Sequence, residues 1–400
     1  MIYILCYALS VLFAYLAYRD NKEQKFILFS VLSILLPVFL AGLRDRGIGI
    51  DTSNYYEMER YWSTASVSDS IWQYMADYSQ RGLGEYFFAL LVGIIGQTGN
   101  FTLLLLFVHA WIIFFVYIGA YRLRKHVQPW LVLTLFYLAF FSHSLNVMRQ
   151  YMALSFLFAF LMDLPRKKYL RYLIAVAIAT MFHTSALLSL GLMLIHWILY
   201  GDLERLKAGL KPSLRQRQIF IFTAVAVLIV IFNPLVRLLI GVGLLHEKYM
   251  FYVKNPFKSY NLLVTLFLLV EMGAIWLLRN NLKEKKPIFE MFFTFSVVYF
   301  LLYQVTAVVT YGKRIAACCA LANLVTLAML PQGLGDAIEF TLPRWLGGKH
   351  IVAFRFLGSL DAKKKQTLGT LLVICGVVAY WLYVYVLRNS SKTMPYRFIF

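Results

Sequence analysis

A few short stretches of this chain hold most of the groups able to do chemistry. "GLRDRGIGIDTSNYY" carries Arg44, Arg46, Asp51 and Tyr55, and Arg81 and Glu85 follow. "NVMRQYMA" places Asn146, Arg149 and Gln150 at helical spacing, on one face. "FHTS" holds His183 and Ser185, and "YGKR" holds Tyr311, Lys313 and Arg314. Arginine keeps its charge and offers a planar donor fork that matches phosphate oxygens. Several arginines from remote stretches imply a phosphate or pyrophosphate held near a membrane surface. Asp51, His183 and, less favourably placed, Glu85 are the groups able to take a proton from a hydroxyl.

Each of these residues also has a plainer use. Arg44 and Arg46 suit lipid headgroups, and Asp51 suits the cap of a helix starting near Ser53. Asn146, Arg149 and Gln150 suit interhelical hydrogen bonds. Arg81 and Glu85 suit a helical ion pair, and Tyr55 suits a membrane interface. His183 suits a satisfied interior position. What weighs for chemistry is the side on which the cations fall, and the elements around them decide that.

The chain is 61% hydrophobic, 17% aromatic and only 14% charged, which excludes an ordinary soluble domain. Apolar runs recur at 2–18, 26–43, 101–121, 130–141, 151–164, 173–182, 186–199, 219–242, 262–278, 289–309, 315–330 and 368–387. They predict an all-α, polytopic membrane protein of about 12 transmembrane helices in a single integral membrane domain. Several runs fall short of the roughly 20 residues of a straight crossing, so broken or tilted helices lining a cavity are expected. The first run lacks a basic start and a small-residue cleavage site, and reads as a span rather than a leader.

The net charge of +20 is not a nucleic-acid footprint, because much of it sits in short loops at 165–171, 204–217 and 279–286. That pattern marks cytoplasmic loops. Parity then places Phe182–Ser185, Asn146–Gln150 and the "YGKR" stretch outside. Residues 44–100 form an outer loop with an amphipathic or re-entrant helix, and 331–366 a cytoplasmic one. The same count sends the segment with Arg388, Lys392 and Arg397 outside, against its charge. Positive charge on the disfavoured side of the membrane marks a site. Cys6, Cys318, Cys319 and Cys375 all lie in apolar runs and read as small hydrophobes. No metal-ligand spacing is present, so neither a metal nor another cofactor is expected.

The ordered set "GLRDRGIGIDTSNYY", "GEYFFALL", "NVMRQYMAL" and "FHTSALL" resembles the EpsG family of Wzy-type bacterial polysaccharide polymerases. The likeness covers the first half of the chain well, and beyond Ser185 rests mainly on "YGKR". Tyr86 stands where the family often has proline. The resemblance implies a GT-C-like, helical membrane glycosyltransferase. Such an enzyme moves an undecaprenyl-pyrophosphate-linked glycan onto another lipid-linked repeat unit, on the periplasmic or outer face of the bacterial inner membrane. A flippase and a chain-length regulator are the partners it implies. Arg44, Arg46, Arg149 and Arg314 are the expected diphosphate ligands, with Tyr55, Arg81, Asn146, Gln150 and Tyr311 around them. A lipid-linked oligosaccharide flippase, an O-antigen ligase, a membrane O-acyltransferase and a scaffold are the competing readings. A flippase predicts internal repeats, which the sequence lacks.

Overall fold

Long apolar runs without turn residues have one way to satisfy their backbone in a bilayer, the helix, and the chain adopts it wherever such runs occur. The computed structural model describes residues 2–19, 23–57, 85–201, 212–243, 250, 260–285, 288–309, 312–335, 338–341, 350–353 and 355–399. Among them, seven helices are long and apolar enough to cross a membrane. One further pair is bent by 63° at a short break, and four apolar helices are shorter. The protein is a multi-pass helical membrane protein. It divides into two compact units, residues 1–187 with 374–400, and residues 188–373.

The first unit begins with α1 (Ile2–Arg19) and α2 (Glu23–Gly42). It continues with α3 (Tyr86–Gly96), α4 (Phe101–Arg122) and α5 (Pro129–Phe136), then α6 (Met148–Phe160) and α7 (Tyr169–Thr180). Local signals set the starts. Asn100 accepts from the Thr102 N–H at 3.1 Å to cap α4, and Pro129 opens α5 where its missing N–H costs nothing. Buried serines join the helices: Ser10 donates to the Ser33 carbonyl at 2.6 Å, and Ser30 meets the Tyr117 hydroxyl at 2.6 Å. A β-carbon at Gly42 would lie 2.3 Å from Leu106 Cδ2, so glycine permits the close approach of α2 to α4.

Two features of this unit shape the site. Helix α3 has 11 residues, about 17 Å at 1.5 Å per residue, which is too short to cross a hydrocarbon core. Helix α5 passes into a π-helical turn, Tyr137–Phe141, then Ser142–Ser144, and breaks before α6. Such breaks release backbone groups for other partners.

The second unit holds α8 (Leu190–Tyr200), the bent pair α9 (Leu214–Val230) and α10 (Phe232–Gly241), and α11 (Leu262–Lys285). Helices α12 (Phe289–Tyr303) and α13 (Lys313–Met329) complete its bundle. Arg279 grips Glu290 through Nε (3.0 Å) and Nη2 (2.8 Å), and Gln218 closes the network at 2.8 Å. The 331–366 stretch contains a two-stranded antiparallel hairpin, β1 (Ile338–Thr341) and β2 (His350–Ala353), the sheet among the described residues of an otherwise helical chain. Helix α14 (Ala362–Trp381) continues as a π-helical segment, Leu382–Leu387, and enters the first unit from Ile374 onward.

Candidate active site

The site is built where chain ends of α2, α3, α5, α6 and α7 meet in the first unit. Glu85 stands just before α3, and its carboxylate bridges Arg149 and His183. Arg149 Nη1, in the first turn of α6, lies 2.5 Å from Oε2, and His183 Nδ1, just past the end of α7, lies 2.9 Å from Oε1. A backbone bond from Phe87 N–H to the Met181 carbonyl (3.0 Å) fixes this meeting of α3 with the end of α7. Gln150 donates to the Ser185 hydroxyl at 3.1 Å and ties α6 to the same turn.

Glu85 is buried. Burial by itself raises its carboxyl, but the His183 hydrogen bond, the Arg149 charge and the Thr184 backbone outweigh that and hold it below the usual carboxylate range. It is therefore an anion that orients its neighbours rather than a proton acceptor at neutral pH. The Glu85 carboxylate can only accept, and at 2.9 Å it outweighs the longer 3.4 Å approach of the Ser185 N–H to the same nitrogen, so Nδ1 carries the proton and the imidazole presents its Nε2 lone pair away from the carboxylate. The His183 side chain keeps 17% exposure and that of Arg149 33%, so both reach the surface of the cluster. Arg149 lies over Phe88 (5.7 Å) and Tyr55 (5.9 Å), which form its aromatic wall.

Arg44 is fully buried and faces the other way. Its Nη1 donates to the Ala41 carbonyl (2.9 Å) and its Nη2 to the Leu145 carbonyl (2.8 Å), which the break after α5 leaves available. His109 completes the pocket: Nδ1–H donates to the Leu105 carbonyl (2.8 Å), leaving Nε2 to accept from Arg44 at 3.4 Å. Burial pulls the Arg44 guanidinium down to about 10, so it stays charged at neutral pH. Its contacts fasten the end of α2 to the break at Leu145 and leave it no path to the surface.

Asn146 is buried and also works on backbone. Its Oδ1 accepts from the Ile50 N–H, and its Nδ2 donates to the Ser391 carbonyl at 3.0 Å. Gly49 passes beside it with φ +103°, and a β-carbon there would sit 2.7 Å from Asn146 Oδ1. Asp51 follows, half-buried, at the start of a helical turn over 52–57, with no hydrogen bond or ion pair to its carboxylate among the described residues. Arg46 is exposed and stacks 4.0 Å over the Tyr56 ring. Tyr55 is buried edge-on against Phe88, so it walls the site rather than facing outward.

Arg314 belongs to the second unit, half-buried in the first turn of α13. Arg81 and Tyr311 lie outside the described residues.

The sequence model of the EpsG family matches residues 27–336. The chain belongs to the EpsG family. Membership points to a polysaccharide-polymerase type of membrane protein. No curated protein and no solved structure matches the chain. Of the motifs behind the earlier resemblance, Glu85, Arg149, Gln150, His183 and Ser185 come together directly, and Asn146 joins the "RDRGIGID" loop to them through its backbone partners. Two contributors to this candidate site give little signal in the sequence. His109 lies in an apolar run and belongs to no metal-binding set, and a lone histidine there gives no signal of its partner. In the segment after α14 the positive charge dominates the sequence pattern, although its density of Ser, Thr, Asn and Tyr is that of a chain making backbone contacts.

Proposed function

We propose that this chain is a glycosyltransferase, a polysaccharide polymerase acting on undecaprenyl-pyrophosphate-linked glycans at the periplasmic or outer face of the bacterial cytoplasmic membrane. The acceptor is the non-reducing end of another lipid-linked repeat unit. Its hydroxyl oxygen bonds to the anomeric carbon of the donor. The bond from that carbon to the diphosphate oxygen breaks, and its electron pair leaves with undecaprenyl pyrophosphate. The hydroxyl proton passes to a base.

The observation that carries this reading is Glu85 held between Arg149 and His183 at 2.5 and 2.9 Å. A carboxylate on Nδ1 presets the tautomer in which Nε2 accepts the acceptor's proton. The same carboxylate holds Arg149 beside the imidazole, where its charge meets the negative charge that develops on the departing diphosphate. Arg46 is the further cation assigned to that diphosphate. Arg44 and Asn146 hold the loop. Asp51 is the second candidate base, favoured by its half-exposed carboxylate without a partner among the described residues.

Purified protein given only lipid-linked repeat units should build a ladder of products. His183→Ala should slow it by about 10²–10⁴-fold, the usual weight of a general base, while Asp51→Asn keeps the ladder. The reverse pattern transfers the role to Asp51, and full activity in both variants removes both. Arg149→Lys keeps charge but loses the fork, so polymer length should collapse at unchanged protein level. A wild-type protein that makes no ladder is a ligase, a flippase or a scaffold.

A further inference from the structure

Residues 388–399 lie beyond the matched range 27–336, yet they are stitched to the candidate site. The Ile399 N–H donates to the Leu43 carbonyl (3.0 Å), the Asp45 N–H to Arg397 (2.8 Å) and the Gly49 N–H to Lys392 (2.9 Å). Arg44 and Phe398 form an antiparallel bridge. Side chains add to the seam: Tyr396 donates to the Leu40 carbonyl (2.6 Å), Tyr3 to that of Thr393 (3.0 Å), and Asn146 to that of Ser391 (3.0 Å). Asn389, with φ +42°, accepts from the Thr393 and Met394 N–H groups at 3.0 and 3.1 Å and shapes the turn. The whole length of the "RDRGIG" loop therefore runs beside this segment.

Its charge is one-sided. Arg388, Lys392 and Arg397 are exposed, and the segment contains no carboxylate. Neither Lys392 nor Arg397 has an ion-pair partner among the described residues. Backbone bonds seat Arg397 beside Asp45 and Lys392 beside Gly49, on either side of the exposed Arg46. Asp45, whose Oδ1 accepts from the Gly47 N–H at 2.8 Å, is outnumbered there by the exposed cations Arg46, Lys392 and Arg397, and an excess of positive charge at one surface favours an added anion.

We infer that the 388–399 segment is part of the diphosphate site: it holds the Arg46 loop in place through its backbone and adds Lys392 and Arg397 as ligands for phosphate oxygens. This rests on the polymerase reading above and extends it to residues outside the family match. The chemistry recognised is a phosphate anion at the membrane surface, and the substrate diphosphate and an anionic lipid headgroup are its two sources. The diphosphate is favoured, because the backbone seam leads to the same loop that Asn146 fastens beside Arg149.

Full-length protein in phosphatidylcholine nanodiscs, titrated with inorganic pyrophosphate, tests this. Lys392→Gln/Arg397→Gln removes both charges and leaves every backbone bond of the seam. Its Kd should rise by about fivefold, in line with the loss of two exposed charge contacts, and the salt dependence of binding should flatten. The ratio of Kd values should be unchanged in discs containing phosphatidylglycerol. Equal affinity of variant and wild type overturns the inference. So does a difference confined to phosphatidylglycerol discs, which assigns the cations to headgroups. Binding that is lost in Arg149→Gln but untouched in the double variant overturns this inference alone. Wild-type protein that does not bind pyrophosphate overturns it together with the diphosphate site proposed above.

Discussion

At the residue scale the site turns on one carboxylate. Glu85 is buried, and an unpaired charge there would be costly, so Arg149 and His183 are held to it as firmly as it orients them. Its lowered carboxyl makes the arrangement pH-dependent in a definite sense. A depressed folded value contributes stability that is fully present above the unfolded carboxyl value of about 4.3 and is lost as pH falls through the folded value. Glu85→Gln should therefore lower stability at pH 7 by about 1.5–3 kcal/mol, the range for a hydrogen bond to a charged group. The gap should close as acid protonates the wild-type carboxyl. Thermal unfolding of both proteins across pH 3–8 checks this, and a gap that persists at the acid end removes the charge from the explanation. Arg44 makes the complementary point. An arginine in a promising motif has been placed with its fork on the Ala41 and Leu145 carbonyls, holding the loop from inside.

At the scale of elements, breaks rather than helices make the site. The π-helical turn and break between α5 and α6 free the Leu145 carbonyl, put Asn146 at the loop and start α6 with Arg149 and Gln150. The end of α7 presents His183, and the short α3 brings Glu85 to it. Gly49 is the tightest point of the seam. With φ +103° and a β-carbon that would lie 2.5 Å from Thr52 Oγ1, Gly49→Ala should cost about 1–3 kcal/mol in backbone strain and displace Asn146. Activity of the variant should fall more than its membrane level, and an alanine variant with wild-type polymer would show that the loop need not hold this path. The cavity of about 420 Å³ lined by Phe160, Lys168 and Leu170 runs from the C-terminal end of α6 along α7, and none of Glu85, Arg149 and His183 lines it.

At the scale of the whole molecule, the first unit returns on itself. Its helices are contributed by the early chain, and residues 374–400 close it from the far end of the sequence. The seam puts residues 388–399 at the same end of this unit as the 43–51 loop. Counting apolar runs required that side for them, and their positive charge argued against it. Single cysteines introduced at Arg46 and Lys392, in a chain whose native cysteines are replaced by alanine, should thus label together with a membrane-impermeant maleimide on intact cells. Labelling of one position alone would break the seam as described.

The all-helical class and the membrane setting were legible in the sequence because burial in lipid leaves long apolar runs one backbone solution, whatever their neighbours. The order of the motifs also gave the family, which the match over residues 27–336 shows. Side-chain roles were not legible in the same way. Which cation meets Glu85, and that Arg44 points inward to Leu145 while Arg149 reaches the surface, depend on contacts between residues 64 and 101 positions apart. The closing segment at 388–399 depends on longer separations still. Local pattern sets the helices, but partner choice at their ends is made only when distant chain ends meet, so the tertiary structure alone decided it.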